Sequence, residues 1–212
     1  MQRGLPVENS PHRPLIAGLI EAGRFFFSRG WVPATSSNFS ARLDDREALL
    51  TLSGRHKGAL GEDDFLRVAI ADGQSLEAGR RPSAETGLHT LMYRHGPEIG
   101  AVLHTHSVHG TVLSRLAPAE GLFLDDYELL KAFEGIATHE TRLHVPVFDN
   151  DQDIARLAAQ VARWLEATPG AVGYLIRGHG LYTWGRTIED ARRHVEAFEF
   201  LFECETLLWR RS

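Results

Sequence analysis

Apolar positions along this chain follow two rhythms, one helical and one extended. Leu15, Leu19, Ala22 and Phe26 recur near helical spacing and Gly30 follows them, which predicts a helix over 14–29 with the glycine as its stop. The short runs 39–43 and 48–52 flank Asp44, Asp45, Arg46 and Glu47, the pattern of a hairpin. A strand over 66–70 precedes a turn at Asp72 and Gly73. Pro82, Ser83, Ala84 and Glu85 then read as a helix start, with Ser83 as N-cap, an acid in the first turn and the helix running over 84–95. Beyond it the pattern predicts a strand over 99–103 leading into His104, a helix over 108–116, a helical stretch over 125–133 and a strand over 143–147. A helix over 151–167 opening on an Asp cap, a strand over 172–176, the segment 181–185, and a long helix over 188–209 complete the reading.

The first dozen residues are polar and carry prolines, so the chain is expected to divide into a flexible segment 1–12 and one domain over 13–212. Helices and strands are mingled without a linker or a repeat. The expected class is a single mixed α/β domain in which helices cover a central sheet. At 212 residues the chain is long enough for one well-buried domain and short for two.

Charge narrows the partners. The net charge of −5, from 28 acids against 23 bases, argues against nucleic acid and against a membrane surface. An anionic substrate would have to be met by a local cluster. The single cysteine, Cys204, excludes an internal disulfide and fits a reducing compartment; it lies in an apolar helical stretch, where plain packing is its ordinary role. With no apolar core of signal-peptide length and no apolar run near the roughly 20 residues that span a bilayer, a cytoplasmic protein is expected.

Histidines carry the strongest chemical signal. His104 and His106 stand two apart at the end of a strand-like run, so on a strand their side chains share one face. His179 lies between Gly178 and Gly180 after a second strand-like run. Three neutral imidazoles converging on one point, with a position left open, are the ligand set of a catalytic zinc ion. A cupin-type site would add a glutamate a few residues beyond the pair, and none occurs before Glu120. His109, His139, His144 and His194 have no evident partner in the pattern and read as surface or structural residues.

Two loops offer hydroxyls and free amides to a phosphate: Thr35, Ser36, Ser37 and Asn38, and then Ser53, Gly54, Arg55, His56, Lys57 and Gly58. Taken alone, either loop is a weak signal, since serine and glycine more often just make turns. Two carboxylates are candidate acid/base groups. Glu85 stands at the start of the helix before the histidine strand, and Glu128 stands in an apolar-flanked stretch where a partly desolvated carboxyl would titrate nearer neutrality. From local sequence alone, each more readily reads as a solvated helix acid.

In order and spacing these motifs resemble the class II aldolase/adducin family: Ser36 to Arg42, Ser53-Gly54, Pro82 to Glu85, His104 to Ser107, and Gly178 to Gly180. The resemblance covers nearly the whole chain. It implies an αβα sandwich around a mainly antiparallel sheet, and one Zn2+ per subunit held by His104, His106 and His179. It also implies a sugar-phosphate substrate held through Ser36, Ser37, Asn38, Ser53, Gly54, Lys57 and Ser83, and a homotetramer with sites near subunit interfaces.

Within the family, three stretches are similar to the branch that dehydrates a thiomethyl-bearing pentulose 1-phosphate in methionine salvage: Pro82 to Thr86, Glu128-Leu129-Leu130-Lys131, and Gly180 to Gly185. In that branch the acid/base residue matches Glu128, whereas family aldolases and epimerases use the glutamate matching Glu85; this chain carries both. It reads Ser37-Asn38 where aldolases tend to carry Gly-Asn. Aldol cleavage, 4-epimerisation and an adducin-like interaction module are the rival expectations. Trp31, Phe123 and Tyr127 are the apolar candidates for contact with the thiomethyl group.

Overall fold

The long helices and the central strands form where an apolar period meets a stop signal. Helix α1 (Arg13–Ser28) has Pro14 in its first turn, where a missing N–H does no harm, and ends before Gly30 at φ 77°. Strands β1 (Asn38–Arg42) and β2 (Glu47–Thr51) form the expected hairpin, its turn held by Asp44 accepting from the Arg46 and Glu47 amides at 2.7 and 2.8 Å. Strand β3 (Phe65–Ala69), helix α2 (Thr86–His95), strand β4 (Ala101–Thr105) and helix α3 (Val108–Leu116) follow. Next come strands β5 (Leu122–Asp125), β6 (Arg142–Val145) and β7 (Val147–Phe148), then helix α4 (Ile154–Ala167). Strands β8 (Gly173–Ile176) and β9 (Gly180–Gly185) and helix α5 (Ile188–Trp209) close the fold. This computed structural model describes residues 12–209; of the segment expected to be flexible, residues 1–11 lie outside that range.

Seven strands make one sheet in the order β3-β2-β1-β4-β9-β8-β7, antiparallel throughout except for the β7–β8 pair; β5 and β6 pair separately. One face packs under α2 and α4, where Leu88, Met92, Leu157 and Val161 meet Val102, Tyr174 and Tyr182. On the other face, α1 and the first half of α5 cover Phe39, Ala41, Ala101 and Leu103. The rest of α5 packs with α3 and the small sheet through Leu113, Phe198 and Phe202. The αβα sandwich follows from the period-2 alternation of the central strands, which are apolar on both sides.

Several boundaries depart from the pattern. Residues 122–125 pair as a strand with 142–145, and only Glu128–Ala132 turns, as a 3-10 segment, so the helix expected over 125–133 does not form. Its apolar residues are recruited by the small sheet instead. Pro146 splits the expected 143–147 strand into β6 and β7, because proline cannot donate to a ladder. The α2 helix begins at Thr86 rather than Ala84; Ser83 is used one turn early, its carbonyl accepting from the Thr86 amide at 3.1 Å.

Candidate active site

Alternation along β4 decides which side chains meet. His104 continues the face of Val102 toward α2, and Thr105 continues the face of Ala101 and Leu103 toward α5. His104 is fully buried and stacks on Tyr182, its cross-strand neighbour, at 4.1 Å between ring centroids. Its Nδ1 donates to the Leu181 carbonyl at 2.8 Å, which leaves Nε2 with a bare lone pair. His106 sits just past the end of β4, its backbone amide held by the Trp31 carbonyl at 2.8 Å. His179 occupies the short loop between β8 and β9, where Gly178 takes φ 64° and the His179 amide donates to Ile176 at 3.0 Å. At Gly180 a Cβ would overlap the Thr105 carbonyl oxygen, so only glycine lets β9 close on the histidine strand.

The result is one cluster. A ring nitrogen from each of His104, His106 and His179 lies within 4.8 Å of the others, with His104 Nε2 at 2.7 Å from His106 Nε2 and 3.3 Å from His179 Nε2. Burial pushes the His106 pKa down to about 4 and that of His104 well below its ordinary value, so both imidazoles are neutral and ligand-ready. The bare Nε2 of His104 faces a ring nitrogen of each of the other two histidines, so the three converge on one point that a cation can occupy. This donor set fits a divalent metal ion.

A carboxylate completes the cluster. Glu85, at the N-cap of α2, places Oε1 at 3.2 Å from His179 Nε2 and Oε2 at 3.6 Å from His104 Nε2. Asn38 Nδ2 and the Tyr182 hydroxyl donate to Glu85 Oε2 at 2.7 and 2.9 Å. Behind Asn38 the chain of contacts continues inward: Asn38 Oδ1 meets His89 Nε2, His89 Nδ1 meets Ser40 Oγ at 2.7 Å, and Ser40 Oγ meets Tyr93 at 2.7 Å. Every side chain in this line is buried or nearly so, and burial holds the His89 pKa down to about 4 against the pull of Glu85. Such a network fixes Glu85 in one orientation. Sequence reasoning missed His89, though its place four residues after Glu85 puts both on one helix face.

His106, His179 and Glu85 line a cleft of about 460 Å³. Ser36, Ser37, Asn38, Ser53, Gly54 and Ser83 all line it, so the two serine loops do come together beside the histidines. Their roles divide. Ser36 Oγ is committed to the Pro33 carbonyl at 2.6 Å and Asn38 to Glu85, whereas the buried Ser37 hydroxyl has no partner among the described residues and Ser37 holds φ 72°. A non-glycine residue in the left-handed region with an orphaned hydroxyl is a strained, expectant arrangement. Gly54 takes φ 73° with open space where a side chain would stand. Ser83 Oγ accepts from the Asn38 amide and the Glu85 N–H, leaving its own proton to give.

The model of the class II aldolase and adducin N-terminal domain matches residues 17–206. The chain belongs to the class II aldolase and adducin family. It is 66% identical over 187 residues to the methylthioribulose-1-phosphate dehydratase of Pseudomonas fluorescens (strain Pf0-1), covering 88% of this chain and 89% of that protein. To the protein of the same name from Pseudomonas aeruginosa (strain LESB58) it is 64% identical over 197 residues, covering 93% and 96%. Among solved structures it is similar to YgbL of Escherichia coli, with TM-score 0.79 and 25% identity over 94% of this chain and 91% of that one. It is also similar to the l-fuculose-1-phosphate aldolase of Thermus thermophilus, with TM-score 0.72 and 26% identity over 94% and 96%.

Other predicted residues of this family member lie apart from the cleft. Lys57 is buried behind it, its Nζ donating to the Arg55 carbonyl at 2.5 Å and the Thr35 carbonyl at 3.4 Å, with burial lowering its pKa to about 8. Lys57 thereby ties the two serine loops together. Glu128 is 72% exposed on the 3-10 turn and 3.6 Å from His139, and the hydrogen bond from Lys131 holds its carboxyl below the usual range, not nearer neutrality as its apolar flanks led one to expect; it does not line the cleft of its own chain. Trp31, Phe123 and Tyr127 are likewise elsewhere; the apolar side chains that do line the cleft are Leu52, Ala84, Ile154 and Leu157. Among the described residues no helix is long and apolar enough to cross a membrane.

Proposed function

We propose that this chain is a zinc-dependent hydro-lyase that converts 5-methylthioribulose 1-phosphate to 2,3-diketo-5-methylthiopentyl 1-phosphate in methionine salvage. One observation carries the chemistry: three clustered imidazoles and an oriented glutamate stand at a cleft that two serine loops also line. The choice of substrate rests on relatives at 64–66% identity along nearly their whole length.

His104, His106 and His179 would hold the zinc ion, which when bound supplies Lewis acidity toward the ketose carbonyl and acidifies the neighbouring C3–H. Ser37, Ser53, Gly54 and Ser83 receive the phosphate, and Lys57 keeps their loops at the right spacing. Glu85 Oε1, the oxygen not occupied by Asn38 and Tyr182, takes the C3 proton. Departure of the C4 hydroxyl then needs an acid, and Glu128 supplies it. Because Glu128 is outside its own cleft, it reaches the substrate from a neighbouring copy, in keeping with the homotetramer and interfacial sites that the family resemblance implies. The C4 hydroxyl leaves as water with the proton from Glu128, Glu85 keeps the C3 proton until the pair resets by proton exchange with solvent, and the enol left behind tautomerises to the 2,3-diketone. Leu52, Ile154 and Leu157 offer the thiomethyl end an apolar wall.

The deciding experiment incubates zinc-loaded protein with 5-methylthioribulose 1-phosphate and identifies products by NMR and mass spectrometry. Loss of one water with appearance of the diketone phosphate is the expected result. Dihydroxyacetone phosphate with methylthioacetaldehyde would make the chain an aldolase instead.

A further inference from the structure

Among the buried ionisable groups, one has no place in the reaction above. Glu199 lies on α5 among Ala197, Phe198, Leu201 and Phe202, and only 2% of its surface is exposed. A carboxyl this deep is costly unless it holds something. Its Oε1 accepts from the Thr105 hydroxyl at 3.0 Å, while Oε2 has no hydrogen-bond partner among the described residues. Burial raises its pKa to about 7, against the opposing pull of the nearby Ser107 and Thr105 hydroxyls.

Thr105 and Ser107 alternate with the ligands His104 and His106 and face the opposite side of the strand. This is where β4 leaves the sheet. Its pairing with β1 ends at His104 and its pairing with β9 ends at Thr105, so His106 stands on backbone held by one bond, from its amide to Trp31. Ser107 caps α3, its hydroxyl oxygen accepting from the Gly110 amide at 2.9 Å. The same helix reaches the third ligand: Thr111 Oγ1 donates to the His179 carbonyl at 3.1 Å, and Ser114 Oγ accepts from the Gly178 amide at 2.8 Å. What fixes the strand end therefore also fixes the origin of the helix that steadies the His179 loop.

We propose that Glu199 is a positioning residue for the metal site, anchoring through the Thr105 hydroxyl, from the far face of the sheet, the strand end that carries His104 and His106. The inference rests on the reading of the triad as a metal centre. Glu199 touches neither metal nor substrate; it acts by holding Thr105.

The test uses the whole protein and two readouts other than turnover: Zn2+ affinity by competition with a chromogenic chelator, and the visible spectrum of the Co2+-loaded form. Thr105→Val removes only the donor, Thr105→Ser keeps it, and Glu199→Leu replaces the carboxyl by a packed apolar group that leaves the melting temperature no lower. Thr105→Val and Glu199→Leu are each expected to weaken zinc binding by roughly 10-fold, the lower end for losses of supporting contacts around metal ligands, and to shift the Co2+ bands. Thr105→Ser is expected to match wild type, and the double variant Thr105→Val/Glu199→Leu to be no worse than either single change, because both break one link. Affinities within twofold of wild type, or effects that add in the double variant, overturn the proposal. If Glu199→Leu fails to fold, Thr105→Val against Thr105→Ser decides alone. Wild-type protein that takes up no metal overturns the reading of the triad and this inference with it, whereas metal held equally by wild type and variants overturns only the inference.

Discussion

Glu85 and Asn38 together account for how a carboxylate beside three histidines can be held ready for proton transfer. Asn38 faces His104 across the β1–β4 ladder, donates to Glu85 and is backed by His89, so the glutamate cannot rotate away. Asn38, read from sequence as a phosphate contact, is spent on orientation. Replacing Glu85 by Gln keeps the shape and removes the base; turnover is expected to fall by roughly 10²–10⁴-fold, with zinc content measured by atomic absorption unchanged. Glu128→Gln is expected to lower turnover over the same range without changing the melting temperature, since the side chain is an exposed partner of Lys131. Reassembling Glu128→Gln subunits with inactive His106→Ala subunits should then recover part of the activity. Mixtures as inactive as their parents would mean that Glu128 does not serve a neighbouring site.

The elements that matter most are short ones. The loop from β8 to β9 presents His179 only because Gly178 takes a left-handed turn and Gly180 admits the Thr105 carbonyl. Gly180→Ala should push β9 from β4, displacing His104 and His179 together, with loss of bound zinc and a melting temperature several degrees lower by calorimetry. A variant with full metal content would show that the contact has room to relax. Helix starts were less legible than helix bodies. The body of α5 follows its apolar spacing, but α2 begins two residues later than its Ser83 signal because Ser83 is drawn into the turn that aims Glu85. The missed β5 strand has the same origin: residues 122–125 alternate too briefly to identify themselves, and only their partner 142–145 makes them a strand.

For the whole molecule, the buried line from Tyr93 to Glu85 joins stability to pH. His89 titrates near 6.5 when unfolded and near 4 in the fold. Between those values the unfolded chain binds a proton that the folded one refuses, so this residue's contribution to stability is lost as pH falls through that window, by roughly 3 kcal/mol in all. Glu199, raised to about 7, acts in the opposite sense, its contribution fading as pH rises from 4.5 toward 7. The check is therefore a difference: urea denaturation of wild type and His89→Gln between pH 7 and 4.5, with the variant expected to lose less stability on acidification. Parallel curves would mean that His89 keeps a normal pKa in the fold.

By itself the sequence determined the local and periodic features of this protein. The His104–His106 pair, the glycines around His179, the serine loops and the apolar spacing of the long helices each depend on residues a few positions apart, where backbone geometry leaves little choice. The same local motifs carried the family resemblance, and the αβα sandwich was legible only through that resemblance; the apolar spacing alone reached a mixed α/β domain. Tertiary structure alone decided what depends on residues brought from far along the chain. Asn38, Glu85, His89 and Tyr182 form one network only after three segments fold together, Lys57 turns from phosphate toward carbonyls because its surroundings are buried, and Glu199 meets Thr105 across a helix–sheet contact. Local spacing carries no record of such meetings; packing creates them.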